Sequence, residues 1–235
     1  MVYSVGTHGA DLLAEEPGFR RAVVDWTAKA RDISHSAIEH ALGVSRFMVQ
    51  LERACRERGS GLRVLYLDDI LATVAPTETR LNAKPYFWPV QVRWQGKEIL
   101  IHPIPDKIFG IQDKQREAGK DRRWFFFEED RGTMPVIRSS GLSKSSYLRK
   151  LLAYGTTYKN DLHKKVYGFS NMRVLTVTRG PDRIQSIIEA HRRYTWQLCS
   201  PRVFLFADRQ GLARAADPLE FPWLDAAGEQ HRLLD

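Results

Sequence analysis

An aromatic stretch, Trp124-Phe125-Phe126-Phe127, runs directly into three acidic residues, Glu128-Glu129-Asp130, and a further carboxylate stands upstream at Pro105-Asp106. Read as a strand, the stretch sends alternate side chains to opposite faces. Glu128 and Asp130 then share a face with Phe126, while Glu129 points with Phe125, Phe127 and Arg131. A neighbouring strand opening at Asp106 would bring its carboxylate to the same edge. Three carboxylates gathered there repel one another unless a cation lies between them. An all-oxygen donor set suits Mg²⁺ or Mn²⁺, and such an ion can activate water and stabilise charge on a phosphodiester. Asp106, Glu128 and Asp130 are therefore the predicted metal ligands. Lys150 is the predicted catalytic cation, with Arg149 beside it. Tyr154 follows Lys150 at i, i+4 and shares its helix face. Glu39, on the first long helix, is a further carboxylate within conceivable reach of the centre. A plainer reading stays open: Asp130-Arg131-Gly132 forms a turn capped by Asp130, Glu128 pairs with a buried Arg, Tyr154 packs as core, and Lys150 lays its stem over apolar surface.

These residues need a scaffold. A long helix is predicted from near Ser34 to Arg58-Gly59-Ser60-Gly61, with Glu39 three residues after Ser36 as a capping-box partner. Two stripes, Ile38-Ala41-Leu42-Ser45-Met48-Val49-Cys55 and His40-Val44-Phe47-Leu51-Ala54, predict burial on more than one side. His40, on an apolar face, reads as a satisfied core histidine. Strands follow at Leu62 to Leu67, at Val90 to Trp94 and Ile99 to His102 around a Gln95-Gly96-Lys97-Glu98 turn, at Lys107 to Ile111, and at Trp124 to Asp130. The remaining order is helix Ser143 to Lys159, strand Arg173 to Thr178, helix Pro181 to Tyr194 and strand Val203 to Ala207. Pro181 suits a first helical turn. The fold class is α/β, a mixed sheet flanked by helices. Three segments are predicted: an N-terminal extension over 1–33, the α/β domain over 34–210 and a C-terminal tail over 211–235. No glycine-rich dinucleotide or P-loop motif occurs, which excludes a nucleotide-hydrolysing motor of that type.

Pro105-Asp106, the acidic strand end and the following helix, strand, helix, strand order resemble the PD-(D/E)XK restriction-endonuclease-like core. That resemblance implies metal-dependent phosphodiester cleavage. One position departs from it: the pattern's Lys, two residues after the acid, is replaced by Asp130 counting from Glu128 or Arg131 counting from Glu129, so Lys150 would have to supply the charge. A second resemblance covers roughly residues 1 to 210. Phe126-Phe127-Glu128-Glu129-Asp130-Arg131-Gly132-Thr133, Arg149-Lys150-Leu151-Leu152-Ala153-Tyr154 and Asn171 to Thr178 are similar to the plasmid replication-relaxation family, and Ile38 to Val44 fits its His-containing first helix. The resemblance implies DNA work in plasmid or mobile-element replication. It also implies an N-terminal winged helix, of which Val2 to Ala14 reads as the last part, the recognition helix being expected to be missing. Two functions stay open: a Mg²⁺-dependent endonuclease or nickase, and a non-catalytic relaxosome or regulatory protein on a degenerate nuclease fold.

Bulk charge fits either. The 235 residues carry 36 Lys plus Arg against 28 Asp plus Glu, net +8, with a pI near 9.6, which favours a polyanion. The predicted DNA-binding residues are Lys107, Arg122, Arg123, Lys144, Arg149, Lys159, Lys164 and Lys165, interleaved with Tyr147, Tyr158, Tyr167 and Trp196. They are expected to surround the acidic centre. Replication, mobilisation or transposition proteins are candidate partners, as is a second copy of the chain. No apolar run approaches the roughly 18 residues of a membrane span, and no secretory signal is visible. The two cysteines, Cys55 and Cys199, rule out a disulfide scaffold and suit the cytoplasm. No His-x-His supports a histidine relaxase centre, and no His or Cys spacing supports zinc.

Overall fold

The computed structural model describes residues 35–59, 61–215 and 217–235. The chain divides into two compact units, Met1–Gly43 and Val44–Asp235. The expected winged-helix remnant lies outside the described residues. Helix α1, His35–Glu57, opens the described part. Beyond Gly43 its buried residues are Val44, Phe47, Met48, Leu51, Ala54 and Cys55. That is one stripe at helical spacing, not two. Leu42 and Val49, from the first predicted stripe, are exposed, so the helix covers one face of a sheet.

The sheet has seven strands in the order β1-β4-β5-β6-β7-β8-β9. They are β1 Leu62–Leu65, β4 Lys107–Asp113, β5 Arg122–Glu129, β6 Arg173–Thr178, β7 Phe204–Asp208, β8 Trp223–Asp225 and β9 Gln230–His231. β4 is antiparallel to β1 and β5, β6 is parallel to β5 and β7, and β8 is antiparallel to β7 and β9. The sheet is therefore mixed, as predicted. β2, Val90–Trp94, and β3, Lys97–Ile101, form a separate hairpin. Gln95 and Gly96 join them, both with positive φ, the geometry of a two-residue turn matched to strand twist.

β5 is central and dry on both faces. Phe126 enters one core with Trp88, Tyr154, Leu151 and Ile187, built from α4, Tyr147–Lys159, and α6, Pro181–Tyr194. Phe125 and Phe127 enter the other core, where Phe47 of α1 stacks on Phe127 at 4.2 Å between ring centroids. The alternation read from the sequence is what the strand does. On β4, Gly110 lies opposite Trp124, and a Cβ there would sit 2.5 Å from the indole, so the ring lies across a position that must be glycine. Short helices α2, Leu67–Thr73, α3, Thr77–Arg80, α5, Leu162–Tyr167, and α7, Arg209–Ala215, complete the layers. The stretch expected to be a C-terminal tail is instead part of the body: β8 and β9 extend the sheet, and Trp223, Leu219 and Leu233 are fully buried. Cys55 and Cys199 are buried free thiols, pushed up to about 11 and about 12 by desolvation.

Candidate metal-dependent site

The parallel strands β5, β6 and β7 end together, and ligand sites in open α/β sheets favour such carboxyl ends. Glu128, Glu129 and Asp130 occupy that end of β5. Asp106 immediately precedes β4, and its N–H donates to the Phe127 carbonyl at 2.9 Å. Its Oδ2 accepts from the Glu129 N–H at 2.8 Å. The Pro105-Asp106 step thus holds a carboxylate beside the acidic strand end, as the sequence predicts.

Glu128 is 1% exposed and engaged at both oxygens. Tyr154 donates its hydroxyl to Oε1 at 2.6 Å, and Lys150 donates Nζ to Oε2. The i, i+4 pair on α4 therefore converges on one carboxylate. Burial pushes the Glu128 carboxyl up, and Asp106 adds to the rise against the pull of Lys150. Burial works against the Lys150 charge too, yet the Glu128 carboxylate holds its pKa above the ordinary value. Desolvation and the same carboxylate keep the Tyr154 phenol protonated far above its usual range.

The other two acids meet different cations. Glu129, on the opposite face, accepts from Arg209 of α7. Asp130 accepts from Arg183 Nε at 2.9 Å and Nη2 at 3.3 Å, from the Thr178 hydroxyl at 2.7 Å and from the Gly132 N–H at 3.2 Å. Arg183 is itself 7% exposed and also donates to the Met134 carbonyl at 2.7 Å. Burial opposes the Asp130 charge, but Arg183 and Thr178 hold its pKa below the usual carboxylate range. The predicted third ligand thus serves as a structural anchor for α6. Arg183 is thereby consumed inside the fold.

A pocket of about 200 Å³ opens at Glu128 and Lys150, lined also by His102, Ile104, Ser146 and Arg149. Ser146 Oγ is buried there without a hydrogen-bond partner among the described residues. The donor set at this end, the Asp106 and Glu128 carboxylates with the Ser146 hydroxyl near Glu128, is all oxygen, the chemistry an oxygen-preferring divalent ion takes. His102, which stacks on Phe87 at 4.6 Å, was not singled out by sequence. Its only signal is its place just after the second hairpin strand. Among the described residues, the three potential ligands whose donor atoms do come together are Asp225, Glu229 and His231. Asp225 Oδ1 there accepts from the Ala227 and Glu229 N–H groups and Oδ2 meets His231 Nε2 at 3.0 Å, so the trio closes the β8–β9 turn.

The predicted DNA-binding residues fall into two groups. Arg149 lines the Glu128 pocket, Lys107 is exposed next to Asp106, and Lys144 is exposed in the loop before α4. Arg122, Arg123, Lys159 and Lys164 instead line a recess at the start of β5, and Lys165 is exposed on α5. The expected basic ring around the acidic centre is thus split between the two ends of the strand. Glu39 lies in the first turns of α1, within the other compact unit. No helix among the described residues is long and apolar enough to cross a membrane.

A search of curated proteins returns no match. Among solved structures, the MunI restriction endonuclease in complex with cognate DNA is similar at 12% identity and a TM-score of 0.28, over 64% of this chain and 74% of that chain. A likeness so distant adds nothing to the geometry above. The sequence profile described as replication-relaxation matches residues 1–174 of the 235. With well over half of its length matched, the chain belongs to the replication-relaxation family.

Proposed function

We propose that the protein binds DNA at the carboxyl ends of β5 to β7 and cleaves a phosphodiester there with Mg²⁺ or Mn²⁺. One observation carries this reading: Asp106 accepts from the Glu129 N–H at the strand end that carries Glu128, and Lys150 reaches Glu128 from the next helix. The lysine that the strand lacks is supplied in space. Asp106 and Glu128 would hold the ion, which when bound supplies Lewis-acid stabilisation of charge on the phosphodiester. Lys150 sits where its ammonium can turn from Glu128 to a phosphate oxygen. Tyr154 fixes the Glu128 rotamer, and Arg149, Lys107 and Lys144 would hold flanking phosphates. The family description supports a setting in replication, and a plasmid or mobile element is the narrower setting proposed here.

A second reading has its own observation. Each acid of the strand end already has a cation, Lys150, Arg209 or Arg183. A site so neutralised suits an accessory protein that binds DNA without cutting it. Supercoiled plasmid incubated with Mg²⁺ or Mn²⁺ separates the two. Cleavage by the wild type, reduced at least a hundredfold in Asp106→Asn and in Lys150→Ala, is expected. Intact plasmid with every metal, alongside retained DNA binding, would leave the accessory reading.

A further inference from the structure

At the end of β5 remote from the carboxylates lies a recess of about 730 Å³, within the ~300–1,000 Å³ range of small-ligand and nucleotide sites. Six residues along an extended strand separate Arg122 from Glu128, a span of about 20 Å. The strand starts build the recess: Arg122 and Arg123 open β5, Arg173 opens β6, and Arg202 lies in the turn before β7. Lys159, from the last turn of α4, and Lys120, from the β4–β5 loop, face the same space. Seven Lys and Arg residues line it against two carboxylate residues, Asp161 and Asp235. The whole chain has 36 against 28, so the imbalance is local.

Neutralisation is partial: Lys164 pairs with Asp161 at 2.9 Å, Lys120 with Glu117 at 3.1 Å and Arg122 with Asp121 at 3.4 Å, while Lys159 and Arg202 meet no carboxylate among the described residues. Arg173 Nη2 donates to the main-chain oxygen of Asp235 at 2.9 Å and Nη1 to the Leu233 carbonyl at 3.4 Å. Arg123 donates to Leu234 and, at 3.4 Å, to Asp235. Burial, then Arg116 and Arg173, depress the Arg123 guanidinium against the pull of Asp113 and Asp235, and burial depresses that of Arg173, with Asp235 pulling up and Arg202 down. Arg122 Nε forms an ion pair with the Asp121 carboxylate at 3.4 Å but, among the described residues, is a buried donor without a hydrogen-bond acceptor. Like charges packed with unused donors are relieved by an anion that brings several acceptor oxygens at once.

Resting on the reading above that this is a DNA-binding protein, we infer that the recess is a second site, separate from the cleavage centre, for the phosphates of a nucleic-acid strand. It would grip the strand without presenting it to Glu128. A strand held there is therefore a different segment from the one at the carboxylates. Binding would be independent of sequence and of divalent metal, and steep in salt.

The test is fluorescence anisotropy in EDTA with a labelled single strand of about 20 nucleotides and its duplex, a length above the usual span of one binding module. Lys159→Glu with Arg202→Glu changes two exposed side chains and leaves the cores alone. The expected result is at least tenfold weaker binding of one or both probes, with a salt dependence shallower by one to two on the log–log slope, while Arg93→Glu with Lys97→Glu, two exposed cations of the β2–β3 hairpin outside both sites, binds as wild type does. Loss confined to the single strand or to the duplex names which form the recess takes. Wild-type affinity in the recess variant overturns the second site and leaves the DNA-binding reading standing. Equal loss in the hairpin variant and in the recess variant also overturns it, because binding would then follow bulk charge and not the recess. Failure of the wild type to bind either probe overturns both.

Discussion

Glu128 and Asp130 point the same way from one strand end yet meet opposite fates, because different helices supply their cations. Sequence spacing made part of the first arrangement legible: Lys150 and Tyr154, one helical turn apart, share a face that could turn to the carboxylates, though which carboxylate was not specified. Nothing local showed that Arg183, 53 residues beyond Asp130, would fold back on it. Such a pairing depends on where α6 lies, which side-chain periodicity does not specify. The alternative kept open in the sequence, a capping role for Asp130, describes that residue better than metal ligation does. Arg183→Met should therefore behave as a core lesion. Leaving the Asp130 carboxylate buried without its cation is expected to cost about 3–5 kcal/mol, read as a lower urea midpoint, and Thr178→Val should cost less. A midpoint unchanged by Arg183→Met would contradict the anchoring role.

Elements with strong periodicity were legible to the residue: β6 and α6 have the predicted limits, and β2 its predicted span. Short ones were not. α5 has six residues, and β8 and β9 have three and two, too few for a period to show. Their signals are tertiary. Gly168 ends α5 with φ +73°, and a Cβ there would lie 2.6 Å from the Val74 carbonyl oxygen. Backbone cannot swing aside as a side chain does. Gly168→Ala is expected to cost more than about 2 kcal/mol, with a fall in Tm of several degrees. Gly228→Ala, equally left-handed but with open space around it, is the control and should cost less. Equal losses at the two positions would show that strain, not the α5–Val74 approach, sets the cost.

For the molecule as a whole, acid should act through buried groups. His191, 1% exposed on α6 against Phe204, has its pKa pushed down to about 4 by burial, with Asp225 pulling up and Arg192 down. The unfolded chain takes up a proton near pH 6.5 and the folded chain does not until about pH 4. The unfolded state thus binds more protons across that window, so stability falls as pH drops from about 6.5 to about 4 and flattens below. The separation corresponds to roughly 3 kcal/mol. His191→Leu should remove this part of the slope in urea titrations at several pH values; an unchanged slope would assign it elsewhere. The charge that first pointed to a polyanion is arranged along β5: arginines at its start, four aromatic residues, then acids at its end. Before the two cores close, Trp124 to Phe127 is a short, β-prone, apolar segment of the kind that drives aggregation, and the charges flanking it act as gatekeepers. Glu128 and Glu129 would thus guard the nascent chain as well as build the site. Neutralising both would lower the soluble yield of the protein even where the folded structure tolerates the change.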